Sequence, residues 1–126
     1  MKTEINEIEI NGITYVQKDA AITASDEDGL PYVIVRAQSA GVFAGYLVKE
    51  EDVLSGTKCT LKNVRRLWYW SGAASCSDLA RKGVSNPKEC KFTAPNSEIK
   101  ISNCIEILKA TEEARKSIEG VGVWQA

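Results

Sequence analysis

Histidine is absent from all 126 residues. That removes the commonest general acid–base group and the Ser–His and Cys–His nucleophile schemes, which counts against a hydrolase. The four cysteines, Cys59, Cys76, Cys90 and Cys104, form no CxxC pair. Without histidine to complete a ligand set they do not have the spacing of a zinc site. Buried, reduced thiols are expected, with no metal and no cofactor. Nothing approaches the roughly 20 consecutive apolar residues that a membrane-spanning helix needs. The opening "MKTEINEIEI" also lacks the apolar stretch of a signal peptide. A cytoplasmic protein without a membrane partner is the expectation, and the length suits a single domain over residues 1–126.

A strong charge of either sign is missing too: the formal net charge is −1. This argues against a generic nucleic-acid binder, but the distribution is uneven. Residues 1–35 carry two lysines against seven acids, and residues 36–91 carry ten basic groups against five acids. Residues 92–126 return to four against five. A basic middle section between acidic flanks suits either a solvated face or a surface that meets a small anion.

Along the chain, "EIEINGITYVQ" (7–17) alternates on both sides of Asn11-Gly12, the strongest short signal for a two-residue hairpin. Residues 18–31 mix charges, small residues, Gly29 and Pro31 and read as a loop. "YVIVRA" (32–37) reads as a buried strand that ends at Arg36. Gly41 and Gly45 interrupt the strand-like pattern that follows, which suggests a bulge or a close backbone approach. After a turn at Ser55-Gly56, alternation puts Cys59, Leu61, Asn63, Arg65, Leu67 and Tyr69 on one side and Thr60, Lys62, Val64, Arg66, Trp68 and Trp70 on the other. Neither side is plainly a core.

From Ser75, "SCSDLARKG" has helical spacing and a weak capping box, with Gly83 as the stop. Residues 97–109 alternate again, and "TEEARKSIEG" reads as a helix capped by Thr111 and closed by Gly120. The tail "VGVWQA" is apolar enough to pack back onto the domain or onto a neighbour. The class is α+β, strand-dominated, with two short helices. Residues 1–17 form an N-terminal hairpin, 32–109 the core, and 111–126 a C-terminal helix and tail.

The stretch "NVRRLWYWSGAASCSDLA" (63–80) brings arginines, then three rings, then a run of small residues to a helix start. Guanidiniums pair with phosphate, open helix amides attract anions, and rings stack on purines. A plain core cluster and a tight strand-to-helix turn would use the same residues. "SAG" at 39–41, beside Phe43, offers a second set of small residues with a ring.

"VIVRAQSAGVFAGYL" together with "LKNVRRLWYWSGAASCSDLARKGVSNPKECKF" resembles a family of small phage proteins, the first-described class of Thoeris anti-defence proteins. The likeness spans roughly residues 32–109. It implies a barrel-like, Greek-key type sheet assembled into homo-oligomers, dimers or hexamers, with pockets at subunit interfaces. It also implies a sponge rather than an enzyme, one that holds 1''-2' and 1''-3' glycocyclic ADP-ribose made by bacterial TIR-domain proteins. Cyclic di- and trinucleotides of CBASS pathways are further ligands of such proteins. The expected ligand-binding set is Arg36, Ser39, Gly41, Phe43, Asn63, Arg65, Arg66, Trp68, Tyr69, Ser71, Gly72, Ala73, Ala74 and Ser75. Arg65 and Arg66 would neutralise the pyrophosphate, with Arg36 beside them. Amides of 71–74 would cradle the phosphate, and Phe43, Trp68 or Tyr69 would stack on adenine. Because alternation separates the two arginines, at most one of them faces a given pocket. Rival readings are a single-stranded nucleic-acid-binding barrel, a signal-degrading enzyme built on Asp78 or Glu89, and a structural virion or host-interaction protein.

Overall fold

The computed structural model describes the backbone of residues 7–10 and 13–16 and, in full, residues 24–26, 28–54 and 56–125. Strands β1 (Glu7–Ile10) and β2 (Ile13–Val16) pair antiparallel as the sequence predicts, with Ile10 opposite Ile13. The Asn11-Gly12 turn itself, and residues 18–23 and 27 of the loop expected over 18–31, lie outside the described residues.

The main sheet is built around β3 (Tyr32–Ala37), β4 (Gly41–Val53) and β5 (Gly56–Tyr69), three antiparallel strands in a row. Helix α1 (Cys76–Lys82) and a short 3-10 turn (Pro87–Glu89) follow, then β6 (Lys91–Phe92), β7 (Asn96–Ile101), β8 (Cys104–Lys109) and helix α2 (Glu112–Glu119). β8 returns to the free side of β3, while β6 and β7 share the free side of β5. Residues 97–109, which alternate without a break in the sequence, are therefore two strands joined through Ser102 and Asn103, the latter at φ 56°.

"YVIVRA" does not alternate because both faces of β3 are covered. Tyr32 and Ile34 point to a core shared with α1 and α2, built from Leu79, Ala80, Phe92, Ala114 and Ile118. Val33, Val35 and Ala37 point to a second core with Phe43, Cys59, Leu61, Val64, Ile101 and Cys104. Among the described residues no helix residue belongs to that second core; strands β3, β4, β5, β7 and β8 supply it. Cys59 on β5 and Cys104 on β8, which do not pair with each other, bring their sulfurs to 3.3 Å across it. Among the described residues no ladder joins β7 to β8.

A bulge re-aims the side chains of β5. Ala44 faces Arg65, but Tyr46 faces Lys62, so Gly45 opposes both Asn63 and Val64. A Cβ on Gly45 would stand 2.8 Å from the Val64 Cβ, and Asn63 takes a left-handed φ of 48°. Such an extra residue bends a strand and shifts its facing by one. The bulge suggested by the glycines is real, and it corrects the alternation read from the sequence. Cys59 and Leu61 share their core with Val64, whereas Arg65 and Leu67 face the helices.

The helices form as their spacing predicts. Cys76, Leu79 and Ala80 of α1 are buried, and Gly83 ends it at φ 79°. A Cβ there would meet Ser117 of α2 at 2.4 Å, so this glycine also lets the two helices close up. Thr111 caps α2 by accepting from the Ala114 amide at 3.0 Å. The tail does pack back: the Trp124 amide donates to Phe92 O at 2.9 Å.

Candidate functional site

The two neighbouring arginines have different fates. Arg65 is 3 % exposed, and all five of its N–H groups are taken by backbone carbonyls. Nε donates to Thr93 O (2.8 Å), Nη1 to Ile118 O (2.8 Å) and Val121 O (2.7 Å), and Nη2 to Phe92 O and Gly122 O (both 3.2 Å). A guanidinium has five donors, so none is left for a phosphate. Burial lowers its pKa from the ordinary guanidinium value, against the field of Tyr32 and Glu119. Arg65 therefore ties the end of α2 and the tail to β5 and β6, and its expected part in neutralising a pyrophosphate is corrected.

Arg66 points the other way and is exposed. Its guanidinium carbon lies 4.5 Å from the centre of the Phe43 ring, and Nη1 donates to Ala40 O at 2.6 Å. The Arg66 backbone is held by Thr93 Oγ1, which accepts from its amide at 3.0 Å. A Cβ on Gly41, at φ 106°, would have Arg66 Nη1 as its nearest neighbour, 4.0 Å away. Two segments selected separately in the sequence, 39–43 and 66–68, thus meet at one side chain. Trp68 is 64 % exposed and Tyr69 52 % exposed. Phe43 is only 1 % exposed and lies under Arg66, so it fixes the guanidinium and cannot stack on a base. Ser39 is exposed in the turn that carries Ala40.

The small-residue loop answers to the chain's own packing. Gly72 has φ 93°, and a Cβ there would lie 2.4 Å from Ser85 Oγ and 2.8 Å from the Asn86 amide nitrogen. The bulk excluded at Gly72 is the 85–86 loop. The Ser71 amide donates to Cys90 Sγ at 3.5 Å, and the Ala74 amide to Asp78 Oδ2 at 3.1 Å. Asp78 also pairs with Arg81. Of the four amides expected to cradle a phosphate, that of Ala74 is thus taken by an acid of the chain and that of Ser71 by a thiol. Ala73 packs against the helix-side core, and Ser75 stands at the N-cap without a side-chain capping bond. The capping box is thus not formed.

Arg36 is set apart from Arg66. Its Nε donates to Glu106 Oε1 at 2.8 Å, a bond that raises its pKa from the ordinary value. Its neighbour across β4 is Val42, which packs on the helix-side core, whereas Arg66 lies over the strand-only core. The two guanidiniums belong to opposite faces of one sheet.

Asn63 and Arg65 line a cavity of about 300 Å³ with Asp26, Tyr32, Tyr46, Pro95 and Glu119. Tyr46 Oη donates to Glu119 Oε2 (3.0 Å) and accepts from Arg115 Nη1 (3.1 Å). The Tyr32 hydroxyl is buried and has no partner among the described residues. Burial first, then Glu119 and Tyr46, hold its phenol pKa above the usual value. Asp26 pairs with Lys62 at 3.0 Å. Burial opposes ionisation of Asp26, but the Leu30 amide, Lys62 and the Asp28 amide outweigh it and hold the carboxyl below its usual value. Only Asn63 and Arg65 of this group were singled out from the sequence. Tyr32, Tyr46, Arg115 and Glu119 come from positions up to 87 residues apart, and no local spacing joins them. A larger, shallower groove of about 500 Å³ lies at the tail beside Trp124 and includes none of the expected site residues.

Among the described residues no group of three or more Asp, Glu, Cys or His could hold a metal ion, and no helix is long and apolar enough to cross a membrane. No curated protein and no solved structure matches the chain. Residues 30–118, from the loop before β3 to the last turn of α2, match one family along their whole length. The chain belongs to the family described as Domain of unknown function (DUF6948).

Proposed function

We propose that this protein is a binding module that captures a cyclic nucleotide of the glycocyclic ADP-ribose class and holds it intact, a phage sponge against TIR-derived immune signals. The observation that carries the reading is the meeting of residues 39–43 with Arg66, two residues before an exposed Trp68 on the same strand. A fixed guanidinium suits a pyrophosphate, and an indole two residues on suits a purine. The resemblance of residues 32–109 to Thoeris anti-defence proteins points to the same ligand.

Arg66 and Trp68 stand on an open surface, outside both cavities described above. Competing with a receptor calls for affinity near nanomolar, about −12 kcal/mol, which a ligand of this size reaches only when largely enclosed. One face of one chain supplies half an enclosure. A homo-oligomer, a dimer or hexamer with the site between subunits, would supply the rest and cover Trp68 and Tyr69. On this reading the sheet is a Greek-key, barrel-like body, and the protein acts in the cytoplasm of an infected bacterium. Cyclic di- and trinucleotides are secondary ligands.

The test is to mix the protein with 1''-2' glycocyclic ADP-ribose, remove free ligand, denature the protein and chromatograph what is released. Unaltered ligand at a fixed ratio to subunits supports the sponge. Altered ligand indicates an enzyme, and no retained ligand ends the proposal. A single-stranded nucleic-acid binder would use the same Arg–Trp pair, but would prefer oligonucleotides and lose affinity steeply with salt.

A further inference from the structure

The Cys59 and Cys104 sulfurs lie 3.3 Å apart, and both residues belong to the strand-only core. They come from β5 and β8, which share no ladder, and they sit where β7 runs through a two-residue link into β8. Cys59 pairs in register with Ile101, whose carbonyl accepts from Cys104 Sγ at 3.5 Å. Cys76 and Cys90 have other surroundings: both pack in the helix-side core, and Cys90 Sγ accepts from the Ser71 amide. Among the described residues no other pair of cysteine sulfurs is in contact.

We propose that Cys59 and Cys104 are a modification site, a dithiol that closes to an intramolecular disulfide with a peroxide as oxidant. Bond formation needs the sulfurs to approach to about 2.05 Å, a movement of roughly 1.3 Å that small side-chain rotations can supply. Cys104 is the more open of the two, at 9 % exposure against 2 % for Cys59. Its sulfur, having given its proton to solvent, attacks one peroxide oxygen, the O–O bond breaks, and the leaving hydroxide takes a proton back, so that a sulfenic acid and one water form. The Cys59 sulfur then attacks the sulfenic sulfur and expels the oxygen as a second water. In balance, two thiols and one hydrogen peroxide give one disulfide and two waters. The sulfurs lose two electrons and two protons.

Burial and the neighbouring thiol push Cys59 up to about 12, so little of its thiolate forms near neutral pH and closure is faster in alkali. The bond would span strands that no ladder holds together. Closing a loop of that length restricts the unfolded chain and fastens β8 to β5.

The full chain, reduced and then treated with hydrogen peroxide, is denatured and alkylated. The expected product is lighter by about 2 Da, retains two alkylatable thiols and yields a linked Cys59–Cys104 peptide. It melts at least about 5 °C higher than the reduced protein, and dithiothreitol reverses the gain. Cys104→Ser and Cys59→Ser, each tested separately, should show neither the mass loss nor the gain in melting temperature. Four alkylatable thiols after treatment, a different linked pair, or oxygen addition at Cys59 or Cys104 in place of the bond would each overturn the proposal.

Discussion

Arg65 and Arg66 are neighbours in sequence, and replacing each in turn separates a residue that holds the fold from one available to a ligand. Arg65→Ala removes five donors at once and leaves carbonyls of Phe92, Thr93, Ile118, Val121 and Gly122 without them. Hydrogen bonds to a charged group contribute about 1.5–3 kcal/mol each, and five of them would sum to about the whole stability of a small domain. The sum is too high, because the adjoining 300 Å³ cavity lets water reach part of the group. The bonds to Ile118 O and Val121 O are buried, and breaking a buried charged set costs about 3–5 kcal/mol. At this chain length that corresponds to a fall in melting temperature on the order of 15 °C. Arg65→Lys keeps the charge but has three donors and no planar fork, so about half the loss is expected. Arg66→Ala gives up an exposed cation–π contact and one carbonyl bond, with an expected cost of about 1 kcal/mol or less. Urea unfolding of the three variants, with the slope checked for constancy, reads these differences directly. If Arg65→Ala and Arg66→Ala shift the midpoint equally, the account of Arg65 is wrong.

Other substitutions test other parts of the structure. Tyr32→Phe removes a buried hydroxyl that has no partner among the described residues and should leave urea stability unchanged or raise it by about 1 kcal/mol; a loss above that would reveal an unseen partner. Gly72→Ala should destabilise by roughly 2–4 kcal/mol through its contact with the 85–86 loop, since its φ of 93° already disfavours a side chain; a neutral result by thermal melting would show that the loop yields. The folded Asp26 pKa is depressed, so its contribution is present above about pH 4 and lost as pH falls through the lower folded value. Tyr32 and Cys59 are raised, so theirs is complete below their ordinary values and declines in alkali, from about pH 9 upward. Chemical denaturation across pH should show both limbs, and Asp26→Asn should flatten only the acid one.

Much of the fold was legible because the signals were local. Asn-Gly between alternating runs marked the first hairpin, a β-branched run marked β3, and Thr111 and Gly120 bounded α2. The facing of β5 was not legible, because a bulge at Asn63 and Val64 answers to Gly45 on another strand. Gly45 hinted at that bulge, yet alternation was read straight through it, placing Arg65 with Cys59 and Leu61. The site was half legible. Phe43 and Arg66 do meet, but the ring supports the guanidinium from below rather than receiving a base. The reason for Gly72 in "SGAAS" was hidden in a similar way: a small residue fits a ligand or a nearby loop equally well, and Ser85 and Asn86 of a later loop stand against it.

Isothermal titration of 1''-2' glycocyclic ADP-ribose into the wild-type protein and into the Arg66→Ala/Trp68→Ala double variant tests the binding claim most directly. The expected result is binding near nanomolar by the wild type and at least a hundredfold weaker binding by the double variant, a loss of about 2.7 kcal/mol or more, with melting temperatures nearly equal. Equal affinity for both proteins, or no heat with the wild type, would contradict the account.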